Sequence, residues 1–243
     1  MDPAPLIDVF TNVAAAVRDA LDGLTDWGPA TGHPGQYQHD VVADSVAVPL
    51  LLAAGLGVVS EESGVHAGDR DVVAVLDPID GSTNASVGLP WFATSICAMD
   101  ASGPLASLVV NQALDVTYTA MRDAGAYRDG TRIAPSSCAQ LSDAIVVVND
   151  LPPRLGSRQF RVYGAAALDL CAVADGTFDA FADCSLGLAP WDYLGALHVC
   201  LEAGAVFESV DGSELMTTNP LARRRLVAAA TPHVLDAVAK AVA

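Results

Sequence analysis

Asp71-Val72-Val73-Ala74-Val75-Leu76-Asp77-Pro78-Ile79-Asp80-Gly81-Ser82-Thr83-Asn84 is the stretch from which the fold of this 243-residue chain is read. Its first six residues are mostly β-branched and apolar, the composition of a buried strand, and that strand carries Asp77 to its end. Proline has a fixed φ and no N–H for the ladder, so Pro78 is expected to stop the strand. The Asp77 and Asp80 carboxylates and the Ile79 carbonyl then turn toward one point, and hard oxygen ligands of that kind suit Mg²⁺. Gly81-Ser82-Thr83-Asn84 adds a glycine-permitted turn with N–H groups and hydroxyls, a nest for phosphate oxygens at a helix start. Asp-Pro and Asp-Gly pairs are also ordinary turn formers, so the stretch alone leaves a plain turn open.

Two further stretches bear on the choice. Upstream, Gly57-Val58-Val59-Ser60-Glu61-Glu62-Ser63-Gly64 has the same form, a short apolar strand ending in paired acids. Taken alone, Glu61 and Glu62 read equally well as a solvated loop. Downstream, Ala189-Pro190-Trp191-Asp192 precedes a helical pattern through Leu194, Leu197, His198, Leu201 and Glu202 that Gly204 closes. An aspartate at such a position is most often a helix cap.

In this order the three stretches resemble the inositol monophosphatase family, the magnesium-dependent, lithium-sensitive phosphatases related to fructose-1,6-bisphosphatase. That family carries a Glu-Glu pair after a strand, here Glu61-Glu62. It then carries an Asp-Pro-Ile/Leu-Asp-Gly-Thr/Ser-x-Asn signature, here Asp77 to Asn84, and a Trp-Asp before a helix ending in Glu-Ala-Gly, here Trp191-Asp192 with Glu202-Ala203-Gly204. Asn111-Gln112, Tyr118-Thr119-Ala120 and Gly125-Ala126-Tyr127 resemble its central hairpin. Tyr163-Gly164-Ala165-Ala166-Ala167-Leu168-Asp169-Leu170 resembles the start of its substrate-side helix. The resemblance spans nearly the whole chain and implies an α+β/α/β fold, a layered αβαβα sandwich of the sugar-phosphatase type with the site between its halves.

The resemblance also implies roles. Glu61, Asp77, Asp80, Asp192 and the Ile79 carbonyl are the expected ligands of two or three Mg²⁺ ions. Glu61 and Ser82 are expected to orient an attacking water, with Asp44 accepting from the Ser82 hydroxyl, and Glu62 to stand behind the ligands. Gly81, Ser82 and Thr83 would meet the phosphate. The backbone of Gly164, Ala165 and Ala166, with Asp183 and Asp192, would meet the alcohol part of the ester. For Asp183 the plain alternative is an exposed acid at a strand end. The expected partner is a small phosphate ester, inositol 1-phosphate or a similar polyol phosphate first, hydrolysed without a covalent phosphoenzyme. Histidinol phosphate and a binding protein that has lost hydrolysis are the alternatives, and the family implies a homodimer.

Two departures stand out. The family shows Asp-x-Val-Thr-x-x-Asp ahead of the Glu pair, whereas this chain has Asp40-Val41-Val42-Ala43-Asp44 without the threonine, so Asp44 is assigned by position. The family's lysine-bearing loop is replaced by Gly32-His33-Pro34-Gly35-Gln36-Tyr37-Gln38-His39. His33 and His39 could touch substrate there, although exposed loop histidines are more often inert. Arg154, Arg158, Arg161 and the run Arg223-Arg224-Arg225 are the cations able to fold toward a second anionic group, and the run also reads as a solvated turn.

Composition agrees. The formal net charge of −17 opposes nucleic acid and anionic membrane as partners, and 52% hydrophobic residues allow a sizeable core. The five cysteines form no CxxC pair, which opposes a zinc ribbon or a disulfide framework. The N-terminus has no basic segment followed by an apolar core, and the chain reads as a soluble cytoplasmic protein with no membrane partner. Residues 1–243 read as one unit. Its first half, 1–134, is expected as a mainly antiparallel sheet with two helices, near residues 6–21 and 44–55. The second half, 135–243, alternates strands and helices as an α/β layer.

Overall fold

The structure is a computed structural model that describes residues 3–31 and 35–243. At its centre is β3 (Val73–Asp80), the strand anticipated above, buried from Ala74 onward. It pairs in parallel with β1 (Gly57–Ser60) and antiparallel with β4 (Ala93–Asp100). The strand does not stop at Pro78. It runs on to Asp80, with the register against β4 shifting between Asp77 and Asp80. The absent proline N–H falls inside that irregularity, where no ladder bond is needed, and the Pro78 carbonyl accepts from the Thr94 hydroxyl at 2.8 Å.

β2 (Gly64–His66), β5 (Gly103–Asn111), β6 (Val116–Met121), β7 (Gly125–Arg128) and β8 (Thr131–Arg132) complete an eight-stranded sheet in the order β2-β1-β3-β4-β5-β6-β7-β8, antiparallel except for the β1–β3 pair. A second sheet of five strands has the order β10-β9-β11-β13-β12. Its members are β9 (Ile145–Val148), β10 (Gln159–Arg161), β11 (Ala180–Ala182), β12 (Val206–Ser209) and β13 (Leu226–Ala229).

Helices fill the remaining layers. α1 (Ala4–Asp22) and α2 (Gln38–Ala53) cover one face of the large sheet, and Leu6, Phe10, Val13, Val17 and Leu21 recur at helical spacing along the buried stripe of α1. α4 (Ala166–Ala174) and α5 (Pro190–Ala203) lie between the sheets, and α6 (Pro232–Val242) closes the far face of the small one. A short helix, α3 (Ser82–Ser86), follows β3. This is the αβαβα sandwich. α4 is buried along its whole length because both sheets press on it, so its sequence is apolar all round except for Asp169. α5 crosses β4 so closely that a Cβ at Gly195 would stand 2.5 Å from Ser95 Oγ. Among the described residues no helix is long and apolar enough to cross a membrane.

α2 begins at Gln38, ahead of the expected start at Asp44. Its first turn is closed by the Asp40 carboxylate, which accepts from the Tyr37 N–H at 3.0 Å and so satisfies an N–H that the helix leaves unpaired. That earlier start changes which acid reaches the site.

Candidate metal centre and active site

Strand pairing brings the first two acids together. Ser60 is in register with Leu76, and the Glu61 N–H continues the pairing by donating to the Leu76 carbonyl at 3.1 Å. Glu61 therefore stands beside Asp77. Asp192 enters from the first turn of α5, where one of its oxygens accepts from the Ala189 N–H at 2.6 Å. The cap is real, yet it leaves the carboxylate facing the others. Glu61, Asp77 and Asp192 each offer an oxygen within 4.8 Å of the other two. Asp80 is outside that trio, and its Oδ2 accepts from the Ala167 N–H at 2.7 Å across to α4.

Such crowding of like charge, around a buried Asp77 with Asp192 half-buried and Glu61 reaching solvent, disfavours ionisation. Burial, then Glu61, Asp80 and Asp192, hold the Asp77 carboxyl well above its ordinary range. Burial and Asp192 do the same to Asp80, against the Ala167 N–H. Burial, Asp192 and Glu62 push Glu61 up to about 8, and burial pushes Asp192 up to about 6. Asp77 Oδ1 is buried and has no hydrogen-bond partner among the described residues. An unsatisfied carboxylate oxygen amid acids that repel one another is a set of hard donors lacking its counter-charge, and a divalent cation fits it.

Asp44 does not meet Ser82. Its carboxylate accepts from the Ser60 hydroxyl at 2.5 Å, and the Ser82 hydroxyl donates to the Ile79 carbonyl at 2.9 Å. The carboxylate facing Ser82 is that of Asp40. Burial raises its pKa, and the Ser82 hydroxyl is among the groups opposing that rise. Asp40 and Asp44 are one helical turn apart on the same buried face, so without the family's threonine only the helix start distinguishes them. His39 is not an exposed loop residue either: it is fully buried at the start of α2. Gly32, His33 and Pro34 lie outside the described residues. Glu62 accepts from the Gln36 side-chain amide, and burial with the Asp40 charge pushes its pKa up to about 7.

The turn after β3 is held by the second half of the chain. Gly81 has φ +88°, and a Cβ there would stand 3.0 Å from both Ala165 Cβ and the Trp91 carbonyl. Asn84 Nδ2 donates to the carbonyls of Trp91 and Tyr163, both at 2.7 Å, which places Gly164 and Ala165 against the turn. Ala166 is the first residue of α4, and Thr83 is exposed.

Asp183 is fully buried, not an exposed strand-end acid. Its Oδ1 accepts from Asn149 Nδ2 at 2.8 Å and from the Ser185 hydroxyl at 2.6 Å, while its Oδ2 has no partner. Its charge adds to the raising of the Asp192 pKa, so the two acids share one region.

One residue near the site, Asp169, was not given a role in the sequence, and another, Arg223, was picked out only as part of its run. Asp169 is buried, accepts from Trp91 Nε1 at 2.9 Å, and is pushed up to about 8 by burial. Arg223 lies 5.5 Å from the centre of the Trp191 ring, and its charge lowers the Asp192 pKa. Its neighbours turn away, Arg224 to the Glu214 carbonyl at 2.8 Å and Arg225 to the Val242 carbonyl at 2.7 Å. The triplet gave no sign of which arginine faces the site. The cysteines are free and lie outside the acidic group.

Comparison with known proteins agrees with this fold. The fructose-1,6-bisphosphatase/inositol-1-monophosphatase of Archaeoglobus fulgidus is 32% identical over 227 residues, 88% of each chain. The Nus factor SuhB of Salmonella typhimurium is 32% identical over 200 residues, 74% of this chain and 71% of its own. A solved structure from Pyrococcus horikoshii, described as a hypothetical protein with similarities for inositol-1 monophosphatase, superposes with a TM-score of 0.87 at 23% identity, covering 99% of this chain and 97% of its own. The sequence pattern of the inositol monophosphatase family matches residues 52–243. The chain belongs to the inositol monophosphatase family, phosphatases that hydrolyse phosphate monoesters.

Proposed function

We propose that the protein hydrolyses a small polyol phosphate, inositol 1-phosphate or a close analogue, with Mg²⁺ held by Glu61, Asp77, Asp192, Asp80 and the Ile79 carbonyl. The observation that carries this is the Glu61, Asp77 and Asp192 group with its unsatisfied Asp77 oxygen. When bound, the ions would supply the positive charge that draws an anionic ester to a chain of net charge −17 and would make water a stronger nucleophile.

The remaining roles fall to the chain's own groups. The Ser82 hydroxyl has one proton to give and lone pairs to accept with; donating to the Ile79 carbonyl, or to Asp40, leaves a lone pair for a proton of the attacking water. The Glu61 carboxylate takes a second hydrogen bond from that water, and together they aim its oxygen at phosphorus. N–H groups of the Gly81, Ser82 and Thr83 turn meet phosphate oxygens. Asp183 and Asp192 accept from hydroxyls of the alcohol, beside the Gly164 to Ala166 backbone. Arg223 supports a polyol over histidinol phosphate, because a guanidinium beside Asp192 repels an ammonium group and accommodates hydroxyls. The carboxylate set and the Ser82 and Asp40 pair weigh against a binding protein without hydrolysis. A homodimer without nucleic-acid or membrane partners, in the cytoplasm, completes the proposal.

Phosphate release from inositol 1-phosphate, histidinol phosphate, fructose 1,6-bisphosphate and 3′-phosphoadenosine 5′-phosphate, with Mg²⁺ and then EDTA, tests it. The expected outcome is EDTA-sensitive turnover, fastest on inositol 1-phosphate. Turnover of histidinol phosphate above the rest would overturn the substrate, and turnover of none the phosphatase reading.

A further inference from the structure

His39 is a buried imidazole that the proposed chemistry leaves without a role. It is fully buried, stacked on Tyr37 with ring centres 5.1 Å apart and planes 18° apart, and packed against Trp27 at 5.2 Å. Its Nε2 lies 3.2 Å from Asp40 Oδ1. The backbone carbonyls of Ser82 and Trp27 also face the ring. None of these contacts has full hydrogen-bond geometry, and both ring nitrogens and Asp40 Oδ1 lack a partner among the described residues. Buried polar groups left in this state are uncommon and call for an explanation.

The polar groups that face the ring nitrogens, Asp40 Oδ1 and the Ser82 and Trp27 carbonyls, are acceptors, so the ring is placed to give an N–H. Asp40 needs such a donor. Its Oδ2 is held by the Tyr37 N–H at 3.0 Å, whereas its Oδ1 has only His39 beside it. Burial lowers the His39 pKa, against the Asp40 charge, and in either protonation state the ring has an N–H to give. The ring thus stands beside the Asp40 carboxylate and the backbone of Ser82, whose hydroxyl is proposed to orient water, and the aromatic stack fixes its plane.

We propose that His39 is a positioning residue, its Nε2–H holding the Asp40 carboxylate toward Ser82 while its ring braces the Ser82 backbone. This rests on the Ser82 and Asp40 reading of the phosphatase site. The Nε2–H would act through Asp40 alone, without touching substrate or ion, so loss of that donor with the ring kept should lower kcat and leave KM for ester and for Mg²⁺ unchanged.

The test compares His39→Phe, which keeps an aromatic ring and removes both nitrogens, with His39→Asn, which keeps an N–H donor, each alone and combined with Asp40→Asn. On the Mg²⁺-loaded protein, kcat of His39→Phe is expected to fall about 10–100-fold, the usual effect of removing a group that orients a site residue. His39→Asn should recover part of that loss. In the Asp40→Asn background His39→Phe should change kcat by less than about twofold, because two groups acting as one unit are not additive. Equal losses in both backgrounds, or a wild-type kcat in His39→Phe, would overturn the inference while leaving the phosphatase reading intact. An inactive wild-type protein would overturn both. If His39→Phe fails to fold, nitrogen-15 NMR of the histidine-labelled wild type decides. A proton on His39 Nε2 whose resonance moves in Asp40→Asn is expected, and an unprotonated Nε2 overturns the inference.

Discussion

At the scale of single residues, the site distinguishes groups of the same chemical type by what they touch. Asp40 and Asp44 are both buried acids of α2, yet one faces Ser82 and the other closes on Ser60. Asp40→Asn is therefore expected to lower kcat by about 10²–10³, within the range for losing a proton-handling group. Asp44→Ala should leave kcat within about threefold and lower the free energy of unfolding by about 1–3 kcal/mol, since it strands the buried Ser60 hydroxyl. Steady-state kinetics and urea unfolding of the two variants check this, and the opposite assignment of effects would return the role to Asp44. Arg223 makes a second prediction at this scale. With its guanidinium over Trp191 and its charge felt by Asp192, Arg223→Ala should raise KM for an anionic ester about 3–10-fold, as expected for about 1 kcal/mol of lost binding, with kcat little changed. A fall in kcat with KM unchanged would place Arg223 in the chemistry instead.

At the scale of elements, the turn between β3 and α3 is where the two halves of the chain meet. Asn84 links it to Trp91 and Tyr163, and Gly81 fits it against Ala165. Asn84→Ala leaves two part-buried carbonyls without their donor, so urea unfolding should show a loss of about 1–2 kcal/mol together with lower kcat, because the same turn carries Ser82. Loss of stability without loss of activity would mean that the turn keeps its shape unaided. The contrast with α2 explains which parts of this fold were legible in the sequence. The β3 strand and Asp77 near its end follow from local pattern, whereas Glu61 reached the site only through the family resemblance, because the parallel pairing that sets it beside Asp77 leaves no mark in its own stretch. The helix around Asp192 follows from its Pro, Trp and Gly punctuation. The start of α2 does not, since it depends on the Asp40 carboxylate folding back onto the Tyr37 N–H within a stretch of no apolar periodicity. That one boundary moved the proposed partner of Ser82 from Asp44 to Asp40 and buried His39. Strand continuity through Pro78 was missed for a related reason: a proline opposes a ladder bond, and at a register shift there is none to oppose. Arg223 was undecidable because three adjacent arginines differ only in how the chain before β13 turns.

At the scale of the whole molecule, the acidic centre ties stability to pH and to metal. Glu61, Glu62 and Asp192 have ordinary pKa values of 4.5, 4.5 and 3.8, and folding pushes them up to about 8, 7 and 6. Their folded values are the higher ones, so between about pH 4 and pH 8 the folded protein holds protons that the unfolded chain has released. Stability then falls as pH rises through that window, as linkage requires when the native state binds more protons. Asp77 and Asp80, raised in the same direction, deepen the fall. A divalent ion binds the deprotonated acids and reverses the effect, stabilising by about 2.7 kcal/mol at a hundredfold excess over its Kd. Thermal unfolding in EDTA should thus give a lower Tm at pH 8.5 than at pH 5.5, and Mg²⁺ should raise Tm more at pH 8.5, where it displaces fewer protons. Asp77→Asn removes the most buried of these charges, so its Tm in EDTA should depend less on pH and respond less to Mg²⁺. A Tm in EDTA that rises from pH 5.5 to pH 8.5, or an Asp77→Asn protein with the wild-type response to Mg²⁺, would mean that this cluster is not where the ion binds. Otherwise the carboxylates that weaken the metal-free fold are the same ones that make it depend on its ion.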